Sequence, residues 1–478
     1  MATPPLRRSP NWESPDGVKS RELGGSGRSS RRGKREFIRP NKHFQLSPVD
    51  FQLAGQGGAG RLTHYVILGN SAAGLTAIGA IRARDRGGPI TLISKEPDVA
   101  YSRVALPYIL SKEKRLPQIT LQDDAYFTAN KVETIIGTGV ISVDTSAKTV
   151  TLEDDRSISF DKLLIGTGSA SRVPPIAGIE DADVCYHWTL ADARKLEKQL
   201  VSAQRCFVIG AGFISLLTVS ALIKIVNLKY TVVDVADQVM PQLLDEPGGR
   251  ALERQMRAKG IDIVLGDQVS AIERNGGGYR ISLKSGATHE ADMIVCGAGV
   301  RPNIDFLQGS GIETARGILV DERQQTSAPG VYAAGDCAEG VDFLTGERTV
   351  HAIWPTAIDQ GRVAGANMAG DSRAYPGSLS WNVTELFGIT MASVGEFRER
   401  GGWEPIVFRN DSANVYRKLL LDNGRLVGAV VIGHASHVQD LGVVQAMIRR
   451  KTDVSRWQHL MLSERMNYGM LAYESIRK

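Results

Sequence analysis

From residue 64 onward, continuous apolar runs alternate with stretches of helical period. "HYVILG" (64–69) is a short apolar run closed by glycine, the pattern of a strand buried on both faces. "AAGLTAIGAIRARD" (72–85) puts Leu75, Ile78 and Ile81 on one side and predicts an amphipathic helix; "PITLIS" (89–94) is the next strand. The cadence recurs in "RCFVIGAGFISLLTVSALI" (205–223) and "YTVVDV" (230–235). Further on, "SWNVTELFGITMASVG" (380–395) and "VYRKLLLDNGRLVGAVVIG" (415–433) alternate in strand fashion, with Asn423-Gly424 as a hairpin turn. "DLGVVQAMIRR" (440–450) and the last stretch of the chain read as helices. The class predicted is α/β: two Rossmann-like three-layer domains, then a C-terminal α+β domain.

Both strand–helix junctions have the spacing of a dinucleotide turn. The first is Gly69-x-Ser71-x-x-Gly74, with Ala72 and Ala73 opening the helix. A helix start offers free N–H groups and partial positive charge to a pyrophosphate. Gly69 allows the tight turn, Gly74 lets helix approach strand, and Ser71 brings a hydroxyl within reach of a phosphate. Glu96, 22 residues after Gly74, stands where a carboxylate meets a ribose. Taken alone, an ordinary strand–helix turn has the same look. The second copy strengthens the reading: Gly210-x-Gly212, then Phe213 and Ile214, with Ser215 in the third slot, which predicts slightly looser helix–strand packing. Asp234 ends the following strand, and Val235, Ala236 and Asp237 offer no arginine, favouring NADH over NADPH. Two such turns about 140 residues apart imply two dinucleotides, a nicotinamide and a flavin.

Charge separates a leader from the body. Residues 1–62 hold 12 Lys+Arg and 5 Asp+Glu, whereas the remainder is net −2, so the body makes no case for nucleic-acid binding. Residues 1–60 lack periodicity and read as a disordered basic tail. Glu13, Asp16, Glu22 and Glu36 weigh against a transit peptide, and a start at Leu62 would give a chain opening on the first strand. No apolar run approaches the ~18 residues of a membrane span. Cys185, Cys206, Cys296 and Cys337 have no metal-ligand spacing and read as buried thiols in a reducing, cytoplasmic setting.

Three further stretches carry a resemblance. "FDKLLIGTGSASRVPPIAG" (160–178) ends a strand at Thr167-Gly168; "ADMIVCGAGVRPN" (291–303) repeats the theme at Gly297; "GVYAAGDCAEG" (330–340) ends a strand at Gly335-Asp336. Together with the two turns, these resemble the pyridine nucleotide–disulfide oxidoreductase superfamily over roughly Tyr65 to Gly370, and more weakly beyond. The resemblance implies FAD at the first turn and NADH at the second. It implies that Asp336 bonds the ribityl chain, although a helix-capping aspartate would look alike. Trp354-Pro355 opens a helix whose N-terminus, in the family, points at the flavin N1–C2=O edge. His351, just before it, reads as a packing histidine or a base.

Within that superfamily, cysteines sort the chemistries, and none lies between Met1 and Val184 here, which excludes a thiol relay. "VAYSRVALPYIL" (99–110) looks like the "YSR…LP" stretch of ferredoxin-, rubredoxin- and nitrite-reductase-type NADH flavoproteins, with Arg103 as the cation beside the flavin or pyrophosphate, or else a surface arginine. Phe213 matches the aromatic that covers the nicotinamide pocket. Leu217 stands where relatives often have a glutamate that places the carboxamide. The domains implied are 61–175 and 291–373 for FAD, 176–290 for NAD(H), and 374–478 as an interface domain that often dimerises; Met461, Met466 and Met470 are core or contact residues there. The function implied is hydride transfer from NADH to flavin N5, with electrons passing on to a rubredoxin- or iron–sulfur-type protein. A peroxide-forming NADH oxidase and a low-turnover NADH-binding flavoprotein subunit are the alternatives.

Overall fold

The computed structural model describes residues 61–439 and 441–462. The basic tail, Met466 and Met470 lie outside them. The last stretch, read as a helix, is described only as far as Leu462, and Ser455–Leu462 is a 3-10 helix.

The first apolar run forms the centre of a five-stranded parallel sheet. Its order is Val331–Ala333, Lys162–Ile165, Tyr65–Leu68, Ile90–Ser94, Val132–Ile136. Tyr65–Leu68 is buried at every position because it has neighbours on both sides and layers above and below. On one face lie the helices Ala72–Arg82 and Trp354–Met368, packed backbone to backbone through Ala73, Ala77, Gly361 and Gly365. On the other face an apolar cluster joins Val66, Leu68 and Ile165 to the antiparallel strands Val140–Asp144 and Thr149–Leu152. Two strands of this sheet, Lys162–Ile165 and Val331–Ala333, pair although the whole second half of the fold lies between them in sequence.

The second half repeats the plan with four parallel strands ordered Asp262–Leu265, Lys229–Asp234, Arg205–Ile209, Met293–Cys296. Its nucleotide-turn helix is Phe213–Leu222. The expected looseness at Ser215 is absent. Ser215 is almost fully buried, and a Cβ on Gly297 would lie 2.0 Å from its Oγ. The serine fits because the facing strand end has no side chain there.

The C-terminal segment is a five-stranded antiparallel sheet ordered Trp381–Leu386, Ile389–Gly395, Arg425–Gly433, Val415–Asp422, Glu404–Asn410. Asp422 pairs with Arg425 around Asn423-Gly424, the predicted hairpin. One set of its residues packs on the helix Leu441–Arg449. Another set, including Phe387, Met391, Tyr416 and Ile432, shares a single core with Leu216, Val219, Leu252 and Met256 of the second half.

Candidate functional site

The carboxyl ends of the first parallel sheet open into a cleft of ≈ 770 Å³. This is where open α/β sheets take ligands. Gly69 sits at φ +113°, and a Cβ there would lie 2.1 Å from the Gly166 carbonyl oxygen, so no other residue fits the turn. Ser71 is the N-cap of the helix Ala72–Arg82, yet its hydroxyl makes no capping bond, and it lines the cleft with Ala72 and Ala73. Free helix N–H groups and an uncommitted hydroxyl therefore meet at one end of the cavity. Beside them the Oδ1 of Asn70 is buried with no hydrogen-bond partner.

Four carboxylates line the rest of the wall, those of Glu96, Asp192, Asp305 and Asp336. Asp336 is almost wholly enclosed, and burial raises its pKa above the usual carboxylate range; Ser169 Oγ donates to its Oδ2 at 2.8 Å. Glu96 is held by two neighbours: Tyr101 donates its hydroxyl proton to Oε2 at 2.5 Å, and the Arg103 guanidinium pairs with Oε1. Arg103 thus meets a carboxylate, and its other arm donates to the Trp188 carbonyl oxygen at 3.0 Å. Thr167, Gly168, Gly335 and Trp354 also line the cleft. Gly74 and Pro355 do not; Gly74 lies where a Cβ would meet the Gly69 carbonyl oxygen at 2.0 Å, and Pro355 opens the helix Trp354–Met368, so both shape the wall from behind.

The second turn is a separate place. Gly210, Gly212, Phe213, Ile214, Asp234 and Gly297 gather at the carboxyl end of the second sheet, and none lines the first cleft. Asp234 accepts hydrogen bonds from the Ala211 N–H at 2.5 Å and the Ala236 N–H at 2.8 Å, which ties the strand end to the turn. Phe213 and Leu217 are half-buried and pack on the core shared with the C-terminal sheet. Leu217 brings no polar atom to that face.

All four cysteines are free and buried, and burial pushes their thiols up, Cys185 to about 12. Cys337 follows Asp336 in sequence but aims its Sγ at the carbonyl oxygens of Ile165 (3.3 Å) and Ala334 (3.4 Å). His351 hydrogen-bonds Ser378 Oγ through Nδ1 at 2.6 Å and lies 3.5 Å from Asp342 Oδ2, a packing arrangement. The sequence reading passed over Asn70, Ser169 and Trp188, all of which line the cleft. Asn70 carried a signal, a polar residue inside a glycine turn. Trp188 closes an aromatic run just before a helix N-cap, which pattern alone assigns to packing. Among the described residues no helix is long and apolar enough to cross a membrane.

Comparison with known proteins agrees with this geometry. Residues 63–361 match the family described as pyridine nucleotide-disulphide oxidoreductase, and residues 382–452 match the rubredoxin NAD+ reductase C-terminal domain. The chain is 35% identical to the NADH-dependent phenylglyoxylate dehydrogenase subunit epsilon of Aromatoleum evansii, over 82% of this chain and 93% of that one. It is 31% identical to the ferredoxin–NAD(+) reductase component of the anthranilate 1,2-dioxygenase system of Burkholderia cepacia, over 80% and 93%. It spans about half the length (48%) of the assimilatory nitrate reductase electron transfer subunit of Bacillus subtilis, at 30% identity over 79% of this chain. Among solved structures, the covalent putidaredoxin reductase–putidaredoxin complex superposes with a TM-score of 0.78 at 24% identity, covering 87% of this chain and 99% of that one. The chain belongs to the pyridine nucleotide–disulphide oxidoreductase family, and is an NAD(P)H-dependent oxidoreductase of the kind that works with FAD and NADH.

Proposed function

We propose that this protein draws reducing equivalents from NADH and passes them to a small redox protein of rubredoxin or iron–sulfur type. The observation that carries this reading is the sulfur-free cleft: a glycine turn, a helix start, Glu96 and Asp336 line it, and none of the four buried cysteines does. With no cysteine in the cleft lining, a bound flavin would have to pass electrons on directly. The match of residues 382–452 to a rubredoxin reductase domain and the ferredoxin reductase relative support the class of acceptor.

The residues fit the cofactor. The orphaned Asn70 Oδ1 supplies an acceptor, the helix start at Ser71, Ala72 and Ala73 supplies donors for a pyrophosphate, and Gly69 keeps the turn clear of side chains. Glu96 takes the ribose, Asp336 the ribityl hydroxyls, and the helix at Trp354-Pro355 presents its positive end to the ring system. FAD, once bound, turns a two-electron donor into single-electron steps. Gly210, Gly212, Phe213, Ile214, Asp234 and Gly297 hold NADH, with Asp234 reading the ribose. We assign 61–175 and 291–373 to the FAD domain, 176–290 to the NAD(H) domain and 374–478 to an interface domain, and place the protein in the cytoplasm as a homodimer.

Anaerobic mixing with NADH should bleach the bound flavin, and subsequent mixing with rubredoxin or a plant-type ferredoxin should restore the colour faster than oxygen does. Reoxidation by oxygen alone would make it a peroxide-forming oxidase instead. A second reading, a flavoprotein subunit of a larger dehydrogenase with little turnover of its own, is favoured by one residue. Leu217 offers no side-chain acceptor for the nicotinamide carboxamide, and the relative at 35% identity is named as a subunit of an NADH-dependent dehydrogenase. Flavin left oxidised for minutes by NADH would select it.

A further inference from the structure

One residue touches both ends of the cleft wall. Trp188 lies on the segment that leads into the helix Leu190–Gln199 and lines the cavity. Its indole Nε1–H donates to the Ser169 carbonyl oxygen at 2.6 Å, and the Ser169 hydroxyl donates to Asp336 at 2.8 Å. Its own carbonyl oxygen accepts from Arg103 at 3.0 Å, and Arg103 pairs with Glu96. Its N–H donates to Asp192 Oδ2 at 3.0 Å, the carboxylate that also takes the Thr189 N–H at 2.8 Å and closes the capping box of the helix that follows. Three sides of Trp188 are therefore pinned.

The neighbouring residues reinforce the connection. The Leu190 N–H donates to the Tyr101 hydroxyl at 3.0 Å, and that hydroxyl donates to Glu96. Glu96 is bound twice to the stretch 188–190, through Arg103 and through Tyr101. Ser169 is nearly buried and begins the short strand Ser169–Ser171, which pairs with Val300–Pro302. Its hydroxyl aims at Asp336 from a main chain held by that strand pairing on one side and by the indole N–H on the other.

We propose that Trp188 is a positioning residue for FAD: a strut that, through Ser169 and Arg103, fixes the places of Asp336 and Glu96 on the cleft wall. The inference rests on the FAD reading above. A tryptophan is suited to the task because its one donor is fixed to a rigid ring, so the reach from the 188–190 segment to Ser169 is set by the ring and costs little conformational entropy. Phenylalanine keeps the ring and removes the donor.

The test is FAD binding to apo-protein, followed by flavin fluorescence, with visible-region circular dichroism of the bound flavin as a second readout. Trp188→Phe should weaken FAD binding about tenfold, the loss of one hydrogen bond that orients a charged group. Ser169→Ala should do the same, and the double variant should be no weaker than about twentyfold, because both substitutions interrupt one path. The dichroism of the bound flavin should change alike in the two single variants, while the far-ultraviolet spectrum of the apo-protein stays as in the wild type. If wild-type apo-protein takes up no FAD, the functional reading fails and the strut with it. If wild type binds but Trp188→Phe binds within twofold with unchanged dichroism, or the two substitutions multiply to about a hundredfold, the strut alone is overturned. Should Trp188→Phe not fold, Ser169→Ala decides by the same criteria.

Discussion

His187 Nδ1 lies 2.8 Å from Thr218 Oγ1, joining the segment before Trp188 to the helix of the second turn. Thr218 also donates its hydroxyl proton to the Ile214 carbonyl at 2.8 Å, which ties the pair into the helix. The His187 Nε2 is buried with no partner, and burial lowers the imidazole pKa to about 4. The ring is neutral in the folded protein. Below pH ~6.5 the unfolded chain takes up a proton that the folded chain refuses until about pH 4, so stability is intact above 6.5 and declines through that window. The decline over the whole window is on the order of 3 kcal/mol for this residue. Denaturant titrations at pH 7.5, 6 and 5 should show His187→Gln losing less stability with acid than the wild type; parallel losses would count against it.

The pieces of this molecule that repeat a local pattern were legible in the chain. Tyr65–Leu68 and Arg205–Ile209 are central parallel strands, and central strands must be apolar throughout, so they stand out. Gly69 and Gly210 are visible because the turn allows nothing larger. Asp336 was found through its glycine neighbour. Trp188, Ser169 and Asn70 were not, because their roles arise from contacts 19 to 167 residues apart, or from a missing partner, and neither has a period. Ser215 shows the limit from the other side: its consequence depended on Gly297, which faces it from another strand. The sharing of one core between the second half and the C-terminal sheet was likewise invisible, since an apolar strand face does not say what covers it.

Lys418 is buried, with its ammonium 2.9 Å from Glu399 and 3.4 Å from Asp245. Asp245 also accepts the Tyr416 hydroxyl at 2.5 Å and caps the helix Glu246–Ala258 through the Gly248 N–H. This cluster fastens the second half to the C-terminal sheet. Lys418→Met would leave the Asp245 carboxylate buried beside a phenol and an apolar chain. Breaking a buried pair on one side costs about 3–5 kcal/mol, and the exposed Glu399 places the expected loss at the lower end. Chemical denaturation measures it, and Glu399→Gln should cost under about 1 kcal/mol, as expected for a partner that solvent already screens.

Asp234 serves the turn and, on the proposed function, the ribose, and comparing two nucleotides tells the roles apart. Its oxygens hold the Ala211 and Ala236 N–H groups, and the proposed NADH site asks the same carboxylate to read the ribose. Asp234→Asn keeps one of the two acceptors for the turn, sets an amide NH2 against the other backbone N–H, and removes the charge that repels a 2′-phosphate. The kcat/KM for NADH should fall about tenfold, with a smaller change for NADPH, so the preference narrows. Steady-state rates with both nucleotides test this; an unchanged ratio would show that Asp234 serves the turn alone.

Two glycines on the helices behind the cleft should respond in opposite directions to alanine. Gly361, on Trp354–Met368, faces the helix Ala72–Arg82 so closely that a Cβ would lie 2.4 Å from the Ala73 carbonyl oxygen and 2.8 Å from its Cα. Both atoms are backbone, so no side chain can turn aside, and the helices must part. Overpacking of this kind costs roughly 1–3 kcal/mol or more. Ala73 is also cleft wall, so Gly361→Ala should release FAD during gel filtration as well as lower the melting temperature. Gly79, on the first helix, has nothing within 4 Å of where its Cβ would stand. Gly79→Ala should raise stability by about 0.5–1 kcal/mol through the unfolded chain's lost freedom, and leave FAD content unchanged. Thermal melts and flavin-to-protein ratios of the two variants, taken together, separate helix propensity from helix contact; equal effects at both positions would mean that the two helices do not meet along this line.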